Sequence, residues 1–230
     1  MRRNISIAAC LAAYLSTTNV FAQNFGSQGD AAFSAERLFG INFSHVYEED
    51  YTDNNQADTG GEDSFTGISL GWRGVAGGSV ATSNPLDAPR VAFDYFVIDK
   101  LSVGGSLGYV SVSEDDDGNE GFGIDQYSAL LFNPRVGYAL MFSEAIGFWP
   151  QGGFTYYSVS LQDIYSASGL ALTFNLPFVF SPANHFAIQA GPYVDLGITG
   201  TIEDETNNPA PDHDLRYRSI GLQIGLMGWI

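Results

Sequence analysis

Between Ile164 and Val194 the chain carries no Asp, Glu, Lys or Arg. That run is long enough to cross a bilayer as a helix, yet Gly169, Pro177, Pro182 and Gly191 interrupt it. Proline removes a helical hydrogen bond and glycine weakens a helix interior, so a spanning helix is excluded. At period two the same residues sort cleanly. Leu170, Leu172, Phe174, Leu176, Phe178 and Phe180 share one face, and Ala171, Thr173, Asn175 and Pro177 the other. This is a strand with one strongly apolar face. After Ser181-Pro182-Ala183-Asn184 the alternation resumes as Phe186, Ile188, Ala190, Pro192, Val194 and Leu196, opposed by Ala187, Gln189, Gly191, Tyr193 and Asp195. The two strands form a hairpin with a tight turn.

Two similar hairpins precede it, at 89 to 109 and 134 to 157, with short turns near Asp99-Lys100 and Ser143-Glu144. Both open with Pro-Arg-Val, an offset that predicts equivalent places for Arg90 and Arg135. A last strand, 215 to 230, alternates Ile220, Leu222, Ile224 and Leu226 with Ser219, Gly221, Gln223 and Gly225. The other connections are long and acidic: Glu48 to Asp63, Glu114 to Asp125 and Glu203 to Asp214 hold 18 of the 26 Asp and Glu residues. Strands near 34 to 47, 88 to 98, 101 to 113, 126 to 141, 146 to 160, 168 to 180, 185 to 199 and 216 to 230 make eight. Alternating short turns and long loops is the pattern of an up-and-down barrel with both termini at the short-turn end. Segment 64 to 74 also alternates. It reads as the upper part of the second strand, paired with the first above the membrane and followed by a Gly/Ser/Pro-rich insertion at 75 to 87. An equal-count alternative starts the barrel at 64 and leaves 34 to 47 outside.

The N-terminus carries Arg2-Arg3, an apolar run from Ile5 to Leu15 and a small-residue exit at Val20-Phe21-Ala22. This predicts a secretory signal peptide over 1 to 22, a short N-terminal segment over 23 to 33 and one barrel domain over 34 to 230. The single cysteine, Cys10, lies in the leader, so the exported chain has no disulfide. A formal net charge of −17 argues against nucleic acid as a partner, since phosphate recognition needs clustered Lys and Arg.

A soluble sandwich or lipocalin-like barrel would show the same alternation, and the polar face separates the two. A solvated face should carry Lys and Glu, whereas 101 to 113 offers Ser102, Gly104, Ser106 and Gly108. The apolar faces are aromatic-rich and nearly free of charge, far larger than a soluble monomer tolerates. Phe142, Phe148, Tyr109, Tyr156 and Trp229 fall near strand ends, where an aromatic girdle belongs. The leader, the DYFVIDKLSVGGSLGY hairpin, the Pro-Arg-Val repeat and the alternating last strand resemble the small outer-membrane β-barrel proteins of Gram-negative bacteria, the OmpA- and OmpX-like group. That family often ends in Phe, where this chain ends Trp229-Ile230. The resemblance implies an all-β, eight-stranded antiparallel transmembrane barrel in the cell outer membrane, with lipid as its surroundings and long acidic extracellular loops.

With the apolar face outward, Arg90, Asp94, Asn133, Arg135, Gln151, Asn175, Gln189, Asp195 and Gln223 point inward. Eight strands leave room only for side chains, so these groups are expected to plug the lumen, a narrow gated pore being the alternative. His45, His185 and His213 assemble no Ser/His/acid set, so a non-enzymatic, cofactor-free, monomeric protein with a structural or adhesive role is expected, ahead of a channel or a lipid A-modifying enzyme. Asp115, Asp117 and Asn119 form an acidic loop able to take a weakly held divalent cation, though its spacing departs from an EF-hand. Arg216 and Arg218 share the outward face at the rim of the last strand, placed for lipid phosphate.

Overall fold

In a computed structural model, residues 25–49, 61–70, 75–76, 84–113, 126–161, 165–204 and 213–230 are described. The expected leader over 1 to 22 and the acidic triplet Asp115, Asp117 and Asn119 lie outside these residues. Among the described residues, period-two sequence becomes strand, with short breaks at 139, 149–150 and 176–177. Strand β1 is Ala31–Glu49, and β2 comes in two parts, Gly61–Leu70 above and Arg90–Ile98 below. Then follow β3 (Leu101–Ser113), β4 (Gln126–Tyr138, continued by Leu140–Met141) and β5 (Ile146–Phe148, then Gln151–Leu161). The last three are β6 (Tyr165–Asn175, then Phe178–Ala183), β7 (Phe186–Asp204) and β8 (His213–Trp229). Neighbours in sequence pair antiparallel, and β8 returns to β1 from Ala32 opposite Trp229 to Glu49 opposite Asp214. The sheet closes on itself as an eight-stranded antiparallel barrel.

Alternation fixes which residues look in. Along Arg90–Ile98 every second side chain is buried, beginning with Arg90, Ala92, Asp94 and Phe96. The exterior carries Phe33, Phe93, Val103, Leu107, Phe132, Val136, Phe154, Phe178, Leu222 and Ile224, each 45% or more exposed. Such a surface is stable only in lipid, because water would penalise it at about 25 cal/mol per Å².

Several expectations change in detail. Both candidate first strands are used: β1 starts at Ala31, inside the expected N-terminal segment, and 61–70 pairs with Phe39–Glu48 as the upper half of β2. The lower rows of that pairing continue the lipid belt, since Phe39, Ile41, Phe43 and Ile68 are all exposed apolar residues there. The β5–β6 connection is only residues 162–164, so long loops do not occupy every position at that end. Trp229 is buried and faces the lumen instead of joining a girdle, because its register partner is the inward-facing Ala32. Its ring packs 5.4 Å from that of Phe25, which also contacts Phe96 and Trp149. Segment Phe25–Asp30 thereby closes the short-turn mouth, tied down by Gly29 N to Phe96 O at 2.9 Å and Lys100 N to Gly26 O at 2.7 Å.

Candidate functional site

The lumen is filled in layers, and the lower polar layer centres on Arg135. Its guanidinium donates to Glu36 Oε2 and Oε1 at 2.9 and 2.7 Å, and to Asp94 Oδ1 and Oδ2 at 3.1 and 2.6 Å. Ser34 Oγ donates to Glu36 Oε1 at 2.9 Å. The arginine fits because its register partners on both sides, Gly104 on β3 and Gly153 on β5, have no side chain. A Cβ on Gly153 would stand 2.9 Å from Arg135 Cβ.

Above it, a piece of wall has been turned inward. Between the two halves of β2, Asn84 to Pro89 are buried inside the barrel, with Pro85–Asp87 as a single 3-10 turn capped by Asn84 Oδ1, which accepts from Leu86 N at 3.0 Å. Arg90 Nη2 donates to Leu86 O at 2.8 Å, and Arg37 donates to the same carbonyl. The Asp87 carboxylate accepts from Ser44 Oγ at 2.6 Å and Tyr193 Oη at 2.8 Å, and also from Asn42 and Ser219. Arg37 completes the layer with an ion pair to Asp195 at 2.7 Å and a stack over the Tyr193 ring at 3.9 Å. A relay of Thr155 Oγ1 to Thr173 Oγ1 and Thr173 Oγ1 to Asp195 Oδ1, each 2.6 Å, links three strands.

The layer nearest the long loops is apolar. Leu86 packs there with Tyr127, Leu131, Tyr157, Val159, Ala171 and Leu215. The expected plug of polar groups covers only part of the lumen, because inward positions of β4 and β5 turn to Tyr, Leu and Val above the inserted segment.

Every inward position read from the sequence is buried: Arg90, Asp94, Asn133, Arg135, Gln151, Asn175, Gln189, Asp195 and Gln223. The structure joins Asp94 to Arg135 directly, while Asn133 donates to Phe154 O at 3.0 Å. Gln189 is buried without linking these groups, and its Nε2 has no partner among the described residues. Arg90 and Arg135 are not equivalent, for all the Pro-Arg-Val repeat. Arg90 lies opposite Gly108 and Arg135 opposite Gly104, two inward positions apart on β3, and of the two only Arg135 makes ion pairs among the described residues. Sequence reading missed Glu36, Arg37 and Asp87. The adjacent charges Glu36-Arg37 are themselves a signal, since strict alternation can bury only one of two neighbours. A bulge resolves it: β1 spends Ala35 to Phe39 across Leu226 to Ile224 of β8, and Arg37 takes φ 54°.

On the exterior, Arg216 and Arg218 are exposed near the long-loop end, with Arg218 Cζ 5.5 Å from the Tyr47 ring centre. His45 Nδ1 and Ser64 Oγ are 3.0 Å apart beside them. Among the described residues no group of three or more His, Cys, Asp or Glu is placed to hold a metal.

With a ring closed in one chain, apolar outside and packed with ion pairs inside, the architecture is decided. The chain has the fold of the small outer-membrane β-barrel proteins. No protein-family model and no curated protein matches it. Among solved structures, the outer membrane protein OprG from Pseudomonas aeruginosa is similar at a TM-score of 0.53 and 12% identity, over 92% of this chain and 99% of that one. Neisserial surface protein A follows at 0.42 and 10%, over 84% and 97%, and Ail of Yersinia pestis at 0.36 and 13%, over 87% and 99%. At these identities the likeness is one of fold. The lipid-facing exterior then locates this small outer-membrane barrel in the outer membrane.

Proposed function

We propose that this barrel is a non-enzymatic outer-membrane protein with a closed lumen and a structural or surface-interaction role carried by its extracellular loops. One observation supports this above the rest: Asn84 to Pro89 occupy the lumen, anchored from five strands. Asn42 and Ser44 on β1, Arg90 on β2, Tyr193 on β7 and Ser219 on β8 bond the segment directly, and Arg90 is in turn held by Thr155 on β5. The aromatic layer around Phe25 shuts the opposite mouth. A chain stoppered twice has its working surface outside. Ring closure within one chain leaves β1 and β8 mutually paired, which fits a monomer.

The test is conductance. Full-length barrel refolded into planar bilayers is expected to show no unitary steps, and stepwise conductance would overturn the closed lumen. The surface role is tested on cells producing either the whole barrel or a form with its long loops replaced by short turns. Stronger attachment to a solid or cellular surface by the former is expected, and equal attachment would remove that role.

A further inference from the structure

The charges inside the barrel do not cancel. Among the described residues the lumen buries four carboxylates, Glu36, Asp87, Asp94 and Asp195, against three guanidiniums, Arg37, Arg90 and Arg135. In the upper layer Arg37 pairs with Asp195, and Arg90 holds the inserted segment that carries Asp87, so that layer balances. In the lower layer Arg135 alone serves both Glu36 and Asp94, which leaves one negative charge in excess. All four carboxylate oxygens there accept an N–H of Arg135. A proton on either carboxyl would therefore neutralise the excess only by weakening a two-pronged, charge-assisted pair. With lipid outside the wall, leaving the charge uncompensated is costly.

The groups that could hold a compensating ion stand beside Glu36. Glu36 lies in the β1 bulge, between Ala35, paired with Leu226, and Phe39, paired with Ile224, so it faces Gly225 of β8. On the other side of β8, Gly225 pairs with Gln189 of β7. Glu36 and Gln189 thus flank a bare glycine and share the space its side chain would fill: a Cβ on Gly225 would stand 2.9 Å from Gln189 Nε2. That nitrogen has no partner among the described residues, and a half-turn of the amide brings its oxygen to the same place. Gln223, the next inward residue of β8, is 5% exposed, and its Oε1 is likewise unpartnered among the described residues. Ser34 Oγ, already on Glu36 Oε1, adds a hydroxyl. Carboxylate, amide oxygens and hydroxyl make a hard-oxygen set, the chemistry of alkali and alkaline-earth cations. The charge decides between the two: one excess negative charge is cancelled by a monovalent ion and overshot by a divalent one.

We propose that the lower lumen binds one alkali-metal cation, Na⁺ or K⁺, on the Glu36 carboxylate, with the amide oxygens of Gln189 and Gln223 and the Ser34 hydroxyl as further ligands. The ion balances the Glu36, Arg135 and Asp94 unit. It also ties β1 to β7 and β8 at the bulge, where the β1–β8 ladder shifts register. The site is independent of what the loops do and of whether the lumen conducts.

Full-length barrel refolded in phosphatidylcholine vesicles is unfolded in urea at neutral pH and fixed ionic strength. Sodium or potassium chloride is exchanged stepwise for N-methylglucamine chloride, whose cation is too bulky for the site. The folded-to-unfolded ratio is expected to rise about tenfold for each tenfold increase in the preferred alkali ion above its dissociation constant, the slope of one bound ion. The sodium and potassium series show which ion that is, and magnesium chloride should give no such rise. Glu36→Gln removes the excess charge, and Gln189→Leu removes a ligand while leaving the ion pairs intact. Each should flatten the alkali dependence while Lys100→Gln keeps it, and heat-modifiable gel migration shows which variants fold; if Glu36→Gln does not, Gln189→Leu decides. Equal stability of the wild-type barrel in all three monovalent salts, or an undiminished alkali dependence in the folded variants, would overturn the proposal. So would stability that rises as the pH is lowered and ignores the alkali ion, since a proton would then supply the missing charge.

Discussion

The interior charges are not interchangeable, and their partners say which matters most. Arg135 is the shared counter-ion of two buried carboxylates, Glu36 and Asp94. Removing it strands both in a medium that solvates neither, so Arg135→Ala is expected to cost about 3–5 kcal/mol of unfolding free energy. Among the described residues Arg90 hydrogen-bonds only the neutral Leu86 carbonyl and Thr155 hydroxyl. Arg90→Ala should therefore cost less, about 1–3 kcal/mol. Urea unfolding of refolded barrel in vesicles measures both, and equal losses would show that the carboxylates find other partners. A neighbouring glycine belongs to the same unit. A Cβ on Gly104 would meet Phe93 O and stand 2.6 Å from Asp94 Oδ1. Gly104→Ala should then cost about 1–3 kcal/mol by overpacking and by pushing Asp94 off Arg135. Because part of that cost is the lost ion pair, Gly104→Ala combined with Asp94→Ala should fall short of the sum of the single losses, and additive losses would place Asp94 outside the effect.

At the level of elements, the divided β2 is the distinctive feature, and it marks how far sequence could go. Eight strands, their turns and the inward set from Arg90 to Gln223 were legible, because a closed wall with lipid outside imposes one simple period on every strand. For segment 64 to 74 parity allowed two readings, the upper part of the second strand or the start of the barrel, and the structure uses 61–70 as the upper half of β2. Its depth was less legible: the lower rows at Phe39, Ile41 and Phe43 continue the apolar belt, and depth depends on strand tilt and register, which no local pattern encodes. The inward course of Asn84 to Pro89 was hidden for a related reason: its Gly/Ser/Pro-rich surroundings look like an ordinary outer loop, and only bonds to Arg37, Arg90 and Tyr193, distant in sequence, draw it in. Those bonds make the segment separable from the wall. Asp87 is its main latch, accepting from four side chains on β1, β7 and β8. Asp87→Ala is expected to leave the barrel folded on heat-modifiable gels while raising small-solute flux in liposome swelling at least about tenfold, since charged hydrogen bonds are worth about 1.5–3 kcal/mol each. Unchanged flux would mean that packing around Leu86 alone keeps the lumen shut.

At the scale of the whole molecule, the fold turns a soluble protein inside out, and charge substitution on its exterior measures that directly. Leu107 lies in the middle of the apolar belt on β3, 52% exposed, while Ile98, 55% exposed, borders the short turn at the closed mouth. Exposure is therefore the same and only depth differs. In water, two such positions would accept arginine almost equally, within about 0.5 kcal/mol. In a bilayer a guanidinium at mid-depth must be dragged from hydrocarbon, whereas at the interface it reaches water. Leu107→Arg is thus expected to cost about 2–4 kcal/mol and Ile98→Arg about 0–1 kcal/mol, again by urea unfolding in vesicles. The ordering is what discriminates, because nothing in side-chain packing favours one site over the other. Equal, small losses at both positions would mean that water, not lipid, bathes the belt of Phe, Leu and Val, and the placement in a membrane would fall with it.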